Sequence, residues 1–151
     1  MEPVTKERLA RYISLKKENE NRLERLARLR SNAELPPQAG PDGSKGTGCN
    51  ADRLALAVEA YLEYQARMQP LLEANRREMT AIEEAVAALP DPLEREVLRL
   101  RYLDGEHCRR HGWREVAVKL YGNDEKQFVD ASHRLHRAAL VHINCALNEV
   151  K

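Results

Sequence analysis

The stretch "GWREVAVKLYGND", Gly112–Asp124, decides how the chain is read. Trp113, Val116, Ala117 and Leu120 stand at i, i+3, i+4 and i+7, which is one stripe of a short α-helix. Gly122 follows as a helix stop. Asp124, with Gln127 three residues on, reads as a capping box for the next helix. A short helix, a glycine turn and a capped helix predict a helix-turn-helix.

The segments on either side fit that reading. Upstream, "LPDPLEREVLRLRYLDG" starts with an N-cap at Asp91, Pro92 at the first helical position and Glu94 to close a capping box. Leu93, Val97, Leu100 and Leu103 share a face, and Gly105 stops this bracing helix. Downstream, "EKQFVDASHRLHRAALVHINCAL" turns Phe128, Ala131, Leu135, Ala138 and Ala139 inward. Lys126, Asp130, His133 and Arg137 take the opposite strip, with Arg134 beside them.

Further out, "ADRLALAVEAYLEYQARMQPLLEANRREMTAIEEAVAAL" reads as one helix of roughly 55 Å. Asn50 or Asp52 is its expected cap, and Pro70 is expected to kink it near Ala66. Its narrow seam steps through Leu54, Val58, Tyr61, Gln65, Met68, Leu72, Asn75, Met79, Ile82, Val86 and Leu89. Such a seam needs another helix to cover it.

Residues from Thr5 to Asn32 form a charged helix with Leu9, Tyr12, Leu23 and Leu26 at coiled-coil spacing, interrupted by Lys16 and Asn19. Its weak seam leaves two partners open for the long helix: this helix folding back, or a second copy of the chain. Self-association, with a dimer favoured, is the expectation.

Between them, "ELPPQAGPDGSKGTGCN" reads as a flexible Pro/Gly linker. Its "GPDGSKGTG" misses the phosphate-loop pattern, because Ser44 precedes Lys45 and no apolar strand leads into it. The expected organisation is a charged helix over 1–32, a linker over 33–51, a long amphipathic helix over 52–89 and a helix-turn-helix unit over 90–151. The fold class is all-α.

Composition narrows the function. Charged residues are 32%, aromatics 5% and net charge +1, so no overall basic field draws the chain to nucleic acid or membrane. No apolar run approaches a membrane span or a signal-peptide core, and the three cysteines lack framework spacing. A reducing cytoplasm is the expected location.

His107, Cys108 and His111 supply at most half of a zinc site, so no metal is expected. Catalysis needs a carboxylate or nucleophile held beside one of the five histidines. Asp130 can neighbour His133 on a helix, but surface helix pairing explains that spacing, so neither enzymatic activity nor a cofactor is expected.

Guanidiniums fork onto guanine edges or phosphates, which makes Arg134 and Arg137 the leading DNA contacts. His133 and Lys126 stand with them, and Arg109, Arg110 and Arg114 are candidate contacts in and after the loop. Trp113, Val116, Leu120 and Leu135 form the unit's expected core. From Gly105 to His142, seven Lys/Arg stand against five Asp/Glu, so one copy neutralises few phosphates.

"DRLALAVEAY", "IEEAVAALPDPLEREVLRLRYLDG", "GWREVAVKL" and "RLHRAAL" resemble, in that order, a family of small phage- and prophage-encoded proteins. These look like sigma-factor region-four domains preceded by a long helix, related to late-transcription regulators of the RinA and ArpU kind. The likeness covers roughly Asp52 to Ile143.

The resemblance implies a three-helix unit whose last helix enters the major groove of double-stranded DNA at phage promoters in a bacterial host, with RNA polymerase a candidate second partner. Two departures are the inserted "EHCRRH" and the long turn "GNDEKQFVD". Alternative readings are a small-terminase-like packaging component and a helical protein-binding adaptor.

Overall fold

The computed structural model describes residues 2–34, 47–106 and 108–149. Among these, five helices and no strand are found; the sole bridge pairs Glu106 with Arg109. The helices are α1 (Lys6–Glu34), α2 (Thr47–Ala87), α3 (Pro92–Leu98), α4 (Trp113–Tyr121) and α5 (Lys126–Glu149). A π turn, Arg99–Leu103, continues α3.

The all-α class therefore holds, with shifts at the ends. Helix α2 starts at Thr47, so Asn50 and Asp52 lie inside it and neither is its cap. Extending an existing helix adds one hydrogen bond per residue fixed, so residues of modest propensity join it readily. Pro70 sits within α2 without ending it. The rest of the expected linker, including most of the phosphate-loop likeness, lies outside the described residues.

The chain divides into two compact units, residues 1–17 with 75–151, and residues 18–74. The core of the first joins Val4 and, from α1, Leu9, Tyr12 and Ile13 to Ile82, Ala85 and Val86 of α2 and to Leu89 just after it. Val97, Leu98, Leu100, Tyr102, Val116, Ala139 and Ile143 complete it. The start of α1 is thus built into the same core as the C-terminal helices, in cis.

Polar contacts fix it there. Val4 N–H donates to Asn144 Oδ1 at 2.9 Å, and Asn144 Nδ2 returns a bond to Val4 O at 3.2 Å. Arg8 forks onto Glu78 at 2.6 and 2.9 Å, and Tyr12 Oη bonds Glu83.

The bracing segment departs from its expected stripe. Asp91 caps α3 by accepting from Leu93 N–H at 2.9 Å, with Pro92 at the first position. Glu94 closes no capping box here. It is buried, with Oε1 2.7 Å from His142 Nδ1 on α5. Arg95 instead reaches back to the carbonyls of Leu89 and Pro90.

Leu93 is 48% exposed and Leu103 only half-buried, whereas Leu98 and Tyr102 are fully buried. The π turn accounts for the C-terminal part of this shift, from Leu103 to Tyr102, whereas Leu93 and Leu98 stand upstream of it in α3. Asp104 N–H bonds Arg99 O five residues back, so the stripe advances by more than 3.6 residues. A straight-helix template misplaces it.

Helix α4 has the expected bounds. Val116 and Ala117 are buried, Trp113 and Leu120 half-buried, and Gly122 takes the left-handed φ of 75° that ends it. Helix α5 starts at Lys126, one residue later than an Asp124 cap would set. Glu125 O accepts from Phe128 and Val129 N–H, while Asn123 Oδ1 holds Glu125 N–H at 2.9 Å. Gln127 Nε2 lies 3.3 Å from Glu125 Oε2, so the expected box between Asp124 and Gln127 is replaced. Helices α3 and α4 both pack on α5 and on each other.

In the second unit α1 lies against α2. Asn19, expected to break the seam, is buried and donates to Leu72 O at 3.4 Å. Arg25 sits 5.4 Å over the ring of the buried Tyr64. Three seam positions are open instead: Leu23 at 40%, Leu54 at 39% and Val58 at 38% exposure.

Candidate nucleic-acid interface

Helix α5 presents one continuous exposed strip: Lys126, Gln127, Asp130, Arg134, Arg137 and Val141. Steps of four and three keep these residues on one face. Arg134 and Arg137 therefore point to solvent, as the pattern predicts, and Lys126 opens the helix on the same side. Ala131, Leu135 and Ala138 are half-buried and Ala139 is fully buried, so the inward face is also as expected.

His133 departs from the expected outward strip. It is half-buried, with its ring 4.1 Å from that of Trp113 at 37°. Trp113 also meets His136 edge-on at 4.9 Å, and Arg101 Cζ lies 4.7 Å from its ring centre. Two imidazoles and a guanidinium thus surround the indole. Trp113 ties α4 to α5 and to the π turn, and is not free to stack on a base.

His136 is 5% exposed, with Nε2 2.6 Å from Tyr102 Oη. Burial is the main reason its pKa falls to about 4, and the charges of Lys6, Arg101, His133 and Arg137 push the same way. The ring is neutral at pH 7. Burial likewise pushes the Tyr102 phenol up, so it keeps its proton. Burial, then the charge of Arg110, pushes the Arg101 guanidinium down.

The charges of Lys6, Arg101 and Arg137 thus reach His136 from α1, the π turn and α5, and that of Arg110 in the loop reaches Arg101 and Tyr102. Pattern reading missed His136, Lys6 and Arg101 as members of this group. His136 falls on the apolar face of α5 three residues after His133, which was the available signal.

The loop before α4 folds back tightly. Gly105 is buried, and a Cβ there would lie 2.2 Å from Arg109 O and 2.4 Å from Ile13 Cδ1. Arg109 N–H bonds Glu106 O at 2.9 Å, and Cys108 holds a left-handed φ of 63°. Arg109, Arg110 and Arg114 are exposed. Arg101 Nη1 donates to His111 O, tying the loop's end to the π turn.

His111 is committed on both nitrogens. Lys119 Nζ lies 3.3 Å from Nε2 and can only donate, so Nδ1 carries the proton toward Glu115 Oε2 at 2.7 Å. Cys108 is exposed, and His107 lies outside the described residues. Among the described residues no three His, Cys, Asp or Glu side chains converge as a metal site. No helix among them is long and apolar enough to cross a membrane.

Comparison with known protein families, curated proteins and solved structures gives no match to this chain.

Proposed function

We propose that this chain is a phage-type transcriptional regulator that binds double-stranded DNA through a sigma region-four-like helix-turn-helix formed by α4 and α5. The observation that carries the reading is the exposed strip of Lys126, Arg134 and Arg137 on α5, a helix held against α4 by Trp113, His133 and His136. Gln127 lies on the same exposed face, and the Asp130 carboxylate between Lys126 and Arg134 lowers its net positive charge. Arginine forks read guanine edges and phosphates, which suits both Arg134 and Arg137. Arg109, Arg110 and Arg114 are proposed phosphate contacts, which position without specifying.

The local charge excess is small, so one copy binds weakly and the remaining affinity comes from a dimer, from RNA polymerase, or from both. The test is the double variant Arg134→Ala/Arg137→Ala. It should lose sequence-selective binding while circular dichroism keeps the parent's helicity. Unchanged selectivity would sink the assignment. A second reading, a protein-binding adaptor, is favoured by one observation: Leu54, Leu56 and Leu62 are 39%, 64% and 54% exposed on α2.

A further inference from the structure

The first half of α2 bears an apolar stripe that no described residue covers. Ala51, Leu54, Ala55, Val58 and Leu62 line an open groove of about 870 Å³, with Glu59 and Glu63 along it. Leu54, Val58 and Leu62 are 39%, 38% and 54% exposed. Apolar residues at these spacings form one helical face, and Asp52, Glu59 and Glu63, at i, i+7 and i+11, form the strip beside it. All three carboxylates are exposed, and among the described residues none makes an ion pair. The only cation between Thr47 and Glu63 is Arg53, which the helical repeat places away from that strip.

We propose that this groove docks an amphipathic helix of another protein, apolar on one face and Lys- or Arg-rich along the adjoining strip. Its length suits such a ligand, because Ala51 to Glu63 spans roughly 18 Å at 1.5 Å per residue. Leucine-type side chains fill the groove, and cations on one flank meet Glu59 and Glu63.

A second copy of this chain fits less well. An antiparallel two-fold pair lays the same flank of both helices on one side, so each copy's Glu59 and Glu63 confront their own kind. A parallel pair turns that flank toward the side of α2 that α1 already covers, where Arg25 lies over Tyr64. This inference is independent of the DNA reading.

The test uses the full chain and two synthetic helical peptides of about four turns. Both carry leucines at the same positions; one has lysines elsewhere and the other glutamates. Fluorescence anisotropy should show the lysine peptide binding tighter by about tenfold or more. Glu59→Lys/Glu63→Lys should reverse that preference, and Leu62→Ser should weaken binding of the lysine peptide. Because these side chains are exposed, the variants should keep the fold.

Equal affinity for the two peptides would overturn the proposal, as would a preference that charge reversal leaves unchanged. So would self-association in sedimentation that Leu62→Lys dissolves, since the occupant would then be a second copy.

Discussion

His136 shows how one side chain can make stability depend on pH. Its folded pKa of about 4 lies below the ordinary 6.5, mainly because it is buried. The unfolded chain therefore binds the extra proton first. The stability that His136 contributes is complete above about pH 6.5 and is lost as pH falls toward about 4. The full loss is on the order of 3 kcal/mol. Urea unfolding across that range should show the decline, and His136→Leu should flatten it even though the variant starts less stable. A variant with the parent's slope would contradict the account.

Gly105 gives a second residue-scale test. Any side chain there meets the Arg109 carbonyl and Ile13. Gly105→Ala should cost about 1–3 kcal/mol by overpacking, read from the urea midpoint. Neither effect could be read from the sequence: a buried histidine and a crowded glycine are defined by what packs on them.

At the scale of elements, the bracing segment separates the expected stripe from the observed one. Leu98 is fully buried and Leu93 is 48% exposed. Leu98→Ala should cost about 2–5 kcal/mol and Leu93→Ala well under that, within about 1 kcal/mol. The reverse order would contradict this packing of α3.

Helix α4 and the Asp91 cap were legible because their signals are local: an i, i+3, i+4, i+7 stripe, Gly122, and Asp-Pro at a helix start. The π turn carries no such signal. Glu94 misled for a related reason. Its spacing fits a capping box, but His142, 48 residues on, takes its carboxylate. Asp124 was a plausible cap displaced by Asn123 and Glu125, a shift of one residue.

Across the whole molecule, the role of α1 is the largest difference. The pattern marked Leu9 and Tyr12 as seam residues and left open which partner they meet. They lie in one core with Val97, Val116 and Ile143, on helices more than eighty residues away in sequence. Leu9→Ala should therefore cost about 2–5 kcal/mol and lower the single unfolding transition of the C-terminal helices. Calorimetry that left their melting unchanged would show α1 to be an appendage. Pattern reading could not supply this pairing, since many apolar stripes of similar strength compete for each other until the chain closes on itself.

The same scale holds the functional claim. An exposed α5 strip with Arg134 and Arg137 should give sequence-selective DNA binding whose electrostatic part is small. The most direct test titrates the full chain against the DNA upstream of its own neighbouring genes, beside a scrambled duplex, at several salt concentrations. The account predicts tighter binding to the native duplex. It also predicts a log–log salt slope of about −0.9 per phosphate contact, amounting to only a few contacts per copy. Equal affinity for both duplexes at every salt concentration, or no binding to either, would contradict it.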